Sequence, residues 1–457
     1  MTDTVYDMVV LGAGSGGYAA ALRGAQLGLR VALIEADRVG GTCLHRGCVP
    51  TKAILHAAET VDAVRGARAL GVDAELRGVD MAALNAYKDS IVTRMYKGLQ
   101  GLIASRGIDL ITGRGRLAGA GAVEVDGRAV RGRNVVLATG SYSKTIGQHI
   151  DDRVLTSEGA LRLERLPASA VVLGGGVIGV EFASAWASLG ARVTIIEALP
   201  RLVPGEDEAV SKQLERAFRK RRIAVRTNTM FESVERHDGG VTVRTQDGKT
   251  HDAEVLLIAV GRGPVTADLG YEQAGVAMDR GFVTTDAFGR TSAPGVWAVG
   301  DIVPGVQLAH RGFAQGIVVA EKIAGLDPAP VDDALVPRVT FCEPEIASVG
   351  LTEARARQVH GADAVTTAEF NVAGNAKSQI LGAQGFVKLV SLKDGPIVGF
   401  HAIGARMGEQ VGEGQLIVNW EADADDVAAL VHAHPTQNET LGEAAMALAG
   451  KPLHNHG

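Results

Sequence analysis

The sequence predicts an α/β protein: two parallel-sheet units of the doubly wound type, then a C-terminal unit of α+β character. Three observations carry this. A strand, glycine turn, helix and second strand ending on an acid run over residues 8–35. The same pattern returns over residues 170–197. After about residue 336 turns of that kind stop and alternating strand patterns take over. With 457 residues, 46% of them hydrophobic, the chain can bury cores for about three domains.

Residues 8–11 are a short apolar run of buried-strand type. They enter Gly12-Ala13-Gly14-Ser15-Gly16-Gly17, an alanine-rich helical stretch follows, Gly28 ends it, and a second apolar run closes on Glu35. In this context the glycines have separate tasks. Gly12 permits a tight turn. Gly14 lets the backbone approach a pyrophosphate that the helix N-terminus stabilises. Gly17 lets helix and sheet close up, and Glu35 can accept hydrogen bonds from a ribose. The repeat places Gly174, Gly176 and Gly179 in its turn and Glu197 at its strand end. Two Rossmann-like dinucleotide-binding domains imply two dinucleotide sites.

Between them stands Gly40-Gly41-Thr42-Cys43-Leu44-His45-Arg46-Gly47-Cys48-Val49-Pro50-Thr51-Lys52, with two of the three cysteines in the chain. Cysteines this close can form a strained, reducible disulfide, suited to exchange rather than stapling. A metal pair would want a second pair, which the sequence lacks. Three cysteines in so long a chain are no secreted framework. Cys342 has no cysteine near it and reads as a small buried apolar residue.

Helical patterns cover about 51–67 and 80–106, the latter with Met81, Leu84, Ile91, Met95 and Leu99 as a packing stripe. Residues 110–115 and 123–125 read as strands of a small sheet. The strand at 134–138 ends in Thr139-Gly140-Ser141, and a similar one ends at Gly261. Another ends on Gly300-Asp301, where ligands bind in open α/β sheets. Glu181, two residues past Gly179, could cap a helix or pair with a buried lysine. In the last unit, strands are expected at 385–390 and 397–403, with helices near 352–359 and 407–421. His434 then precedes Pro435, and Glu439 follows five residues later. A carboxylate there could fix the imidazole tautomer and raise its basicity.

A net charge of −6 argues against nucleic acid as a partner. The longest apolar runs are too short to span a bilayer. The first residues carry acids and no basic region, a poor secretory signal, so no membrane association and a cytoplasmic location are expected. A dithiol beside a flavin, with a nicotinamide at the second site, makes a coherent electron path, because a flavin can exchange electrons with both.

Taken together, the cysteine stretch, the turns at 12–17 and 174–179, Ala298-Val299-Gly300-Asp301 and the histidine motif resemble the pyridine nucleotide–disulfide oxidoreductase family over almost the entire chain. The resemblance implies an FAD-binding domain (1–145), an NAD-binding domain (146–268), a central region completing the FAD site (269–335) and an interface, or dimerisation, domain (336–457). It implies a homodimer. FAD would lie on Gly12, Gly14, Gly17, Glu35, Thr42, Gly115, Thr139, Gly140, Ser141, Asp301 and Ala309, with Lys52 beside the flavin and paired to Glu181. NAD would lie on Gly174, Gly176, Gly179, Glu197 and Gly261. Cys48 would be the thiolate against the flavin and Cys43 the thiol that exchanges with substrate. His434 would act as base from the other subunit, held by Glu439. The implied reaction oxidises protein-bound dihydrolipoamide with NAD⁺, the partner being the lipoyl-bearing acyltransferase subunit of a 2-oxo-acid dehydrogenase complex.

Two segments depart from the commonest family form: His45-Arg46, and Gln437-Asn438. Arg46 could favour an anionic substrate or be a solvated loop residue. Two other readings stand beside this one. An NADPH-dependent reductase of a small thiol disulfide, of glutathione or mycothiol type, is opposed by Glu197, which would repel a 2′-phosphate. A complex subunit whose main role is binding is compatible with the same residues.

Overall fold

A computed structural model of the chain describes residues 5–119 and 121–455. These form two compact units. The first takes the described residues of 1–53, 82–144 and 262–333, the second those of 54–81, 145–261 and 334–457.

The first unit is built on a seven-stranded sheet. β1 (Val5–Leu11) lies between β2 (Val31–Glu35) and the strand Arg128–Leu137, parallel to both. Val296–Ala298 pairs in parallel with the far side of Arg128–Leu137. Met8, Val9 and Val10 are fully buried, as a strand covered on both faces must be. Leu11 and Val9 face a core with Leu117, Tyr271 and Val283, while Met8 and Val10 face another with Ala20, Ala21 and Val319. α1 (Ser15–Gln26) packs along the helix Ala309–Ile323. A Cβ on Gly316 would lie 2.3 Å from the Gly16 carbonyl oxygen, so the approach needs glycine.

The expected small sheet is not separate. Asp109–Thr112 returns from the helix Met81–Ser105 to extend the main sheet in parallel beyond β2, and Ala122–Val125 and Gly115–Leu117 extend it antiparallel on the other side. Parallel edge pairing is a long-range contact that local alternation does not report. On the helix Met81–Ser105 the anticipated stripe is only partly covered: Leu84 is buried, whereas Met95 is half exposed.

The second unit repeats the arrangement. Ser169–Leu173 lies between Arg192–Ile196 and Val255–Ile258, all parallel, with Ala224–Arg226 and Val154–Leu155 at the edges. The C-terminal part has an antiparallel five-stranded sheet in the order Arg338–Thr340, Glu345–Gly350, Ile397–Gly404, Phe386–Leu392, Val365–Asn371. The helices Met407–Asn419 and Glu439–Leu448 cover it around Phe400, Leu389 and Leu441. This is the α/β plus α+β architecture read from the pattern. Among the described residues no helix is long and apolar enough to cross a membrane.

Candidate active site

The two glycine turns are near copies. Gly12 has φ +100° and Gly174 φ +107°, and a Cβ on either would lie 2.4 Å from a backbone oxygen, of Ala138 and Ala259 respectively. A Cβ on Gly17 would lie 1.8 Å from the Gly12 oxygen, and one on Gly179 1.9 Å from the Gly174 oxygen. The third glycine thus clears the carbonyl of the turn itself, more than it admits the sheet. Gly14 and Gly176 are the opposite case. Each is the N-cap of a helix, α1 and Val177–Leu189, with no side-chain cap and nothing within 4 Å of a Cβ. First-turn amides without side-chain partners beside open space suit a pyrophosphate.

The acids also match. Glu35 accepts from the amides of Ala13 (2.7 Å) and Asp37 (2.9 Å). Glu197 accepts from Gly175 (2.6 Å) and Leu199 (2.7 Å). A carboxylate has about four lone-pair sites, so each can still receive ribose hydroxyls. Burial raises the Glu35 pKa, against the amides of Ala13 and Ala36.

Other predicted contacts line the first unit. The Thr139 hydroxyl donates to the Val265 carbonyl at 2.6 Å and lies 2.9 Å from the Tyr271 hydroxyl. Gly140 turns the chain at φ +76°. Ser141 donates to Asp301 (2.5 Å) and accepts from Arg262 Nε (2.7 Å). Asp301 sits in the turn Gly300–Ile302. Ala309 opens the helix Ala309–Ile323, which also starts without a side-chain cap. Gly115 has a packing role: a Cβ there would lie 2.6 Å from Leu11 Cδ1. Gly261 has φ +102° and open space around it, in the second unit.

The cysteine stretch folds as α2 (Gly41–Arg46) and α3 (Cys48–Gly66). It is seated on the first glycine turn. The Gly40 amide donates to the Ala13 carbonyl at 2.8 Å, and a Cβ on Gly41 would lie 2.7 Å from Gly14 Cα. Thr42 is the second residue of α2. Cys43 and Cys48 are thiols here, Cys43 partly buried and Cys48 exposed. The Cys43 thiol pKa is pushed up, first by its hydrogen bond to Cys48, then by burial and the Cys48 charge, while Lys52 pulls it down. Cys48 opens the nineteen-residue α3, where the helix N-terminus favours a thiolate. The two sulfurs are therefore inequivalent: Cys43 is the partly buried thiol whose pKa is raised, and Cys48 is the exposed one at a helix start.

Sequence reasoning passed over Tyr18. Its phenol is pushed up to about 12, by burial first and then by Cys43 and Cys48, so it stays neutral beside the pair. The divergent residues are occupied locally. His45 Nε2 lies 2.9 Å from the Val39 carbonyl and its ring meets Tyr96 edge-on. Arg46 pairs with Asp37. Both tie α2 to the loop after β2.

In the second unit, His434 Nδ1 lies 2.8 Å from Glu439 Oε1, and the Thr436 amide donates to Glu439 Oε2 at 2.7 Å. His434 is largely exposed, and its peptide bond to Pro435 is cis. Glu439 is the first residue of its helix. Burial opposes its charge, but the Thr436 amide and His434 hold its pKa below the usual carboxylate value. With Nδ1 engaged, Nε2 is the nitrogen available to take a proton. Glu181 lies within the helix Val177–Leu189 rather than at its cap, is buried, and accepts from the Phe341 amide at 2.9 Å. Cys342 is buried, and its thiol donates to the Pro344 carbonyl.

Residues 6–316 match the pyridine nucleotide-disulphide oxidoreductase family, and residues 336–445 match its dimerisation domain. The chain belongs to the pyridine nucleotide–disulphide oxidoreductase family. A dihydrolipoyl dehydrogenase of Bacillus subtilis is 38% identical over 460 residues, 98% of this chain and 97% of that protein. One of Thermus scotoductus is 38% identical over 458 residues, 98% of each. Among solved structures, LpdA of Mycobacterium tuberculosis matches with a TM-score of 0.90 at 27% identity, over 96% of this chain and 99% of that one. The HOCl-induced flavoprotein disulfide reductase RclA of Escherichia coli matches with a TM-score of 0.87 at 27% identity, over 96% and 99%.

As a member of this oxidoreductase family, the protein is an enzyme of flavin-linked disulfide chemistry, with FAD and NAD as its cofactors. The uncapped helix starts at Gly14 and Gly176 fit a pyrophosphate in each unit. In the second unit Arg201 is turned to the Glu206 and Pro204 carbonyls (2.8 Å each) and to Ser211 (3.2 Å). It serves its own loop.

Proposed function

We propose that this protein is a dihydrolipoyl dehydrogenase, oxidising protein-bound dihydrolipoamide to lipoamide with reduction of NAD⁺. The observation that carries the reading is the inequivalent thiol pair seated on the first glycine turn. The names of the Bacillus and Thermus relatives support the substrate. In the oxidised enzyme Cys43 and Cys48 form a disulfide. His434 of the partner subunit, oriented by Glu439, takes a proton from one substrate thiol. The resulting thiolate attacks Cys43 Sγ and the Cys43–Cys48 bond breaks, leaving Cys48 as thiolate. The second substrate thiol loses its proton, closes the lipoyl disulfide and releases Cys43 as thiol. Substrate has lost two electrons and the pair has gained them. FAD and NAD, when bound, supply the hydride chemistry that returns the pair to the disulfide.

In this reading FAD rests on Gly12, Gly14, Gly17, Glu35, Thr42, Lys52, Gly115, Thr139, Gly140, Ser141, Asp301 and Ala309. NAD rests on Gly174, Gly176, Gly179, Glu197 and Gly261. The four regions end near residues 145, 268, 335 and 457, and the enzyme is a cytoplasmic homodimer. It serves a 2-oxo-acid dehydrogenase complex through the lipoyl-bearing acyltransferase subunit. Glu197 and the turned-away Arg201 favour NAD over NADP. The test is an assay of purified dimer with dihydrolipoamide and NAD⁺, beside NADPH with glutathione or mycothiol disulfide. Turnover confined to the second pair would overturn the reading.

A further inference from the structure

One carboxylate outside the dyad grips both sides of the loop that bears it. Glu413 projects from the helix Met407–Asn419. His432 Nε2 lies 2.7 Å from Glu413 Oε1, and Asn438 Nδ2 donates to Glu413 Oε2 at 2.7 Å. His432 stands two residues before His434, and Asn438 immediately before Glu439. The imidazole of His432 lies against the next helix at Gly442, where a Cβ would come within 2.6 Å of Nδ1. So His432 is wedged between Glu413 and a helix that only glycine lets it approach.

The rest of the loop is tied to a different wall. Asn375 donates to the Thr436 carbonyl at 3.0 Å, Ser378 donates to Gln437 Oε1 at 2.6 Å, and Gln437 Nε2 donates to the Ala405 carbonyl at 3.1 Å. Gln437 and Asn438 are the residues of this loop that depart from the family pattern, and both act as tethers. We propose that Glu413 is a positioning residue: through His432 and Asn438 it sets the geometry of the His434–Glu439 dyad. This rests on the reading of His434 as the base. The charges are consistent. Its hydrogen bond to Glu413 raises the His432 pKa, with Glu439 adding in the same direction; burial opposes a charged Glu413, but His432 and Asn438 hold it in that form.

The test uses the flavin-loaded dimer with Glu413→Ala, Glu413→Gln and Asn438→Ala. Each is assayed with dihydrolipoamide and NAD⁺, and separately for NADH oxidation by ferricyanide, which needs no base at the thiol site. A base displaced by about 1 Å can lose about a hundredfold in rate. Expected for Glu413→Ala is a fall of at least about tenfold in kcat for dihydrolipoamide, with the KM and the ferricyanide rate within about twofold. Asn438→Ala should fall in the same direction, and Glu413→Gln, which can still bridge both partners, should recover most of the rate. Dihydrolipoamide kcat held within twofold in both alanine variants overturns the proposal. So does a parallel loss of both activities, which marks a merely structural role, or a Gln variant as slow as the Ala one. His434→Gln is run alongside: unchanged dihydrolipoamide turnover there would sink the base assignment itself, a separate failure.

Discussion

Gly176→Ala should separate cofactor binding from folding. Gly176 has φ −76° and ψ −177°, which any L-residue adopts, and a methyl there meets nothing within 4 Å. Folding stability should hold, or rise by about 0.4–1 kcal/mol through lost freedom in the unfolded chain. The same methyl would fill part of the open space beside the start of the helix Val177–Leu189. Keeping a pyrophosphate off one of the first-turn amides there loses a hydrogen bond to a charged group, about 1.5–3 kcal/mol, so NAD should bind about 10- to 150-fold more weakly. Gly179→Ala is the contrasting change. Its Cβ would lie 1.9 Å from the Gly174 oxygen, which the backbone cannot accept without opening the turn, so it should melt well below the wild type. The assay is titration of the purified variants with NAD⁺, beside thermal melts without it. Anaerobic reduction of the flavin by dihydrolipoamide reports the first half-reaction, which Gly176→Ala should leave intact. An unchanged melt with NAD affinity within threefold would show that no pyrophosphate lies on this turn.

Cys43→Ser and Cys48→Ser should each lower dihydrolipoamide turnover by at least about a thousandfold while NADH–ferricyanide activity persists; turnover surviving in either variant would remove the disulfide from the mechanism. Lys388, 7% exposed, lies 2.9 Å from Asp207 and 2.6 Å from Glu353. Lys388→Met strands the buried Asp207 and should cost about 3–5 kcal/mol, seen as a lower melting temperature that adding Asp207→Asn partly restores; an unaltered melt would contradict this. The Glu413–His432 pair gives a pH signature. His432 is raised in the fold, so its contribution is full below about pH 6.5 and is lost as pH rises through the raised value. Glu413 is lowered, so its contribution is present above about pH 4.3 and is lost as pH falls. The melting difference between wild type and Glu413→Gln should peak between those values, and a flat difference from pH 4 to about 9 would speak against the pairing.

What could be read in the sequence was local. The strand–turn–helix–strand units are each about thirty residues of near-neighbour contact, and both fold as their periodicity indicates. Cys43 and Cys48 stood out because the chain has so few cysteines. The parallel edge strand Asp109–Thr112 was not legible, since it pairs with β2 from Ala32 opposite Asp109 to Glu35 opposite Thr112, 77 residues apart, and its alternation is equally that of a small sheet. Tyr18 carried no signal at the start of an alanine-rich helix; only folding brings the two sulfurs to it. The pairing of Arg46 with Asp37 is likewise seen only in the fold. Glu413 carries no local sign at all, because both of its partners come from a later loop.

The twin cradles also locate where the two units diverge. After the acid, each unit returns to its own turn and makes the same backbone bond: the Gly40 amide to the Ala13 carbonyl, and the Val203 amide to the Gly175 carbonyl, both 2.8 Å. The return is therefore a property of the repeated unit and not of the redox chemistry. What differs is the residue beside it. In the second unit Leu202 closes over Gly175, and a Cβ on that glycine would lie 2.5 Å from Leu202 Cδ2. In the first unit Gly41, at φ +59°, sits against Gly14 with no side chain between. That absence lets α2 and the start of α3 lie directly on a turn suited to a pyrophosphate, with Cys48 at the positive end of a long helix. The second unit has the cradle, the acid and the return but no cysteine along 174–203, so that segment suits a dinucleotide without a thiol beside it. The thiol pair is set by eight residues, 41–48, placed on a scaffold that the chain builds twice.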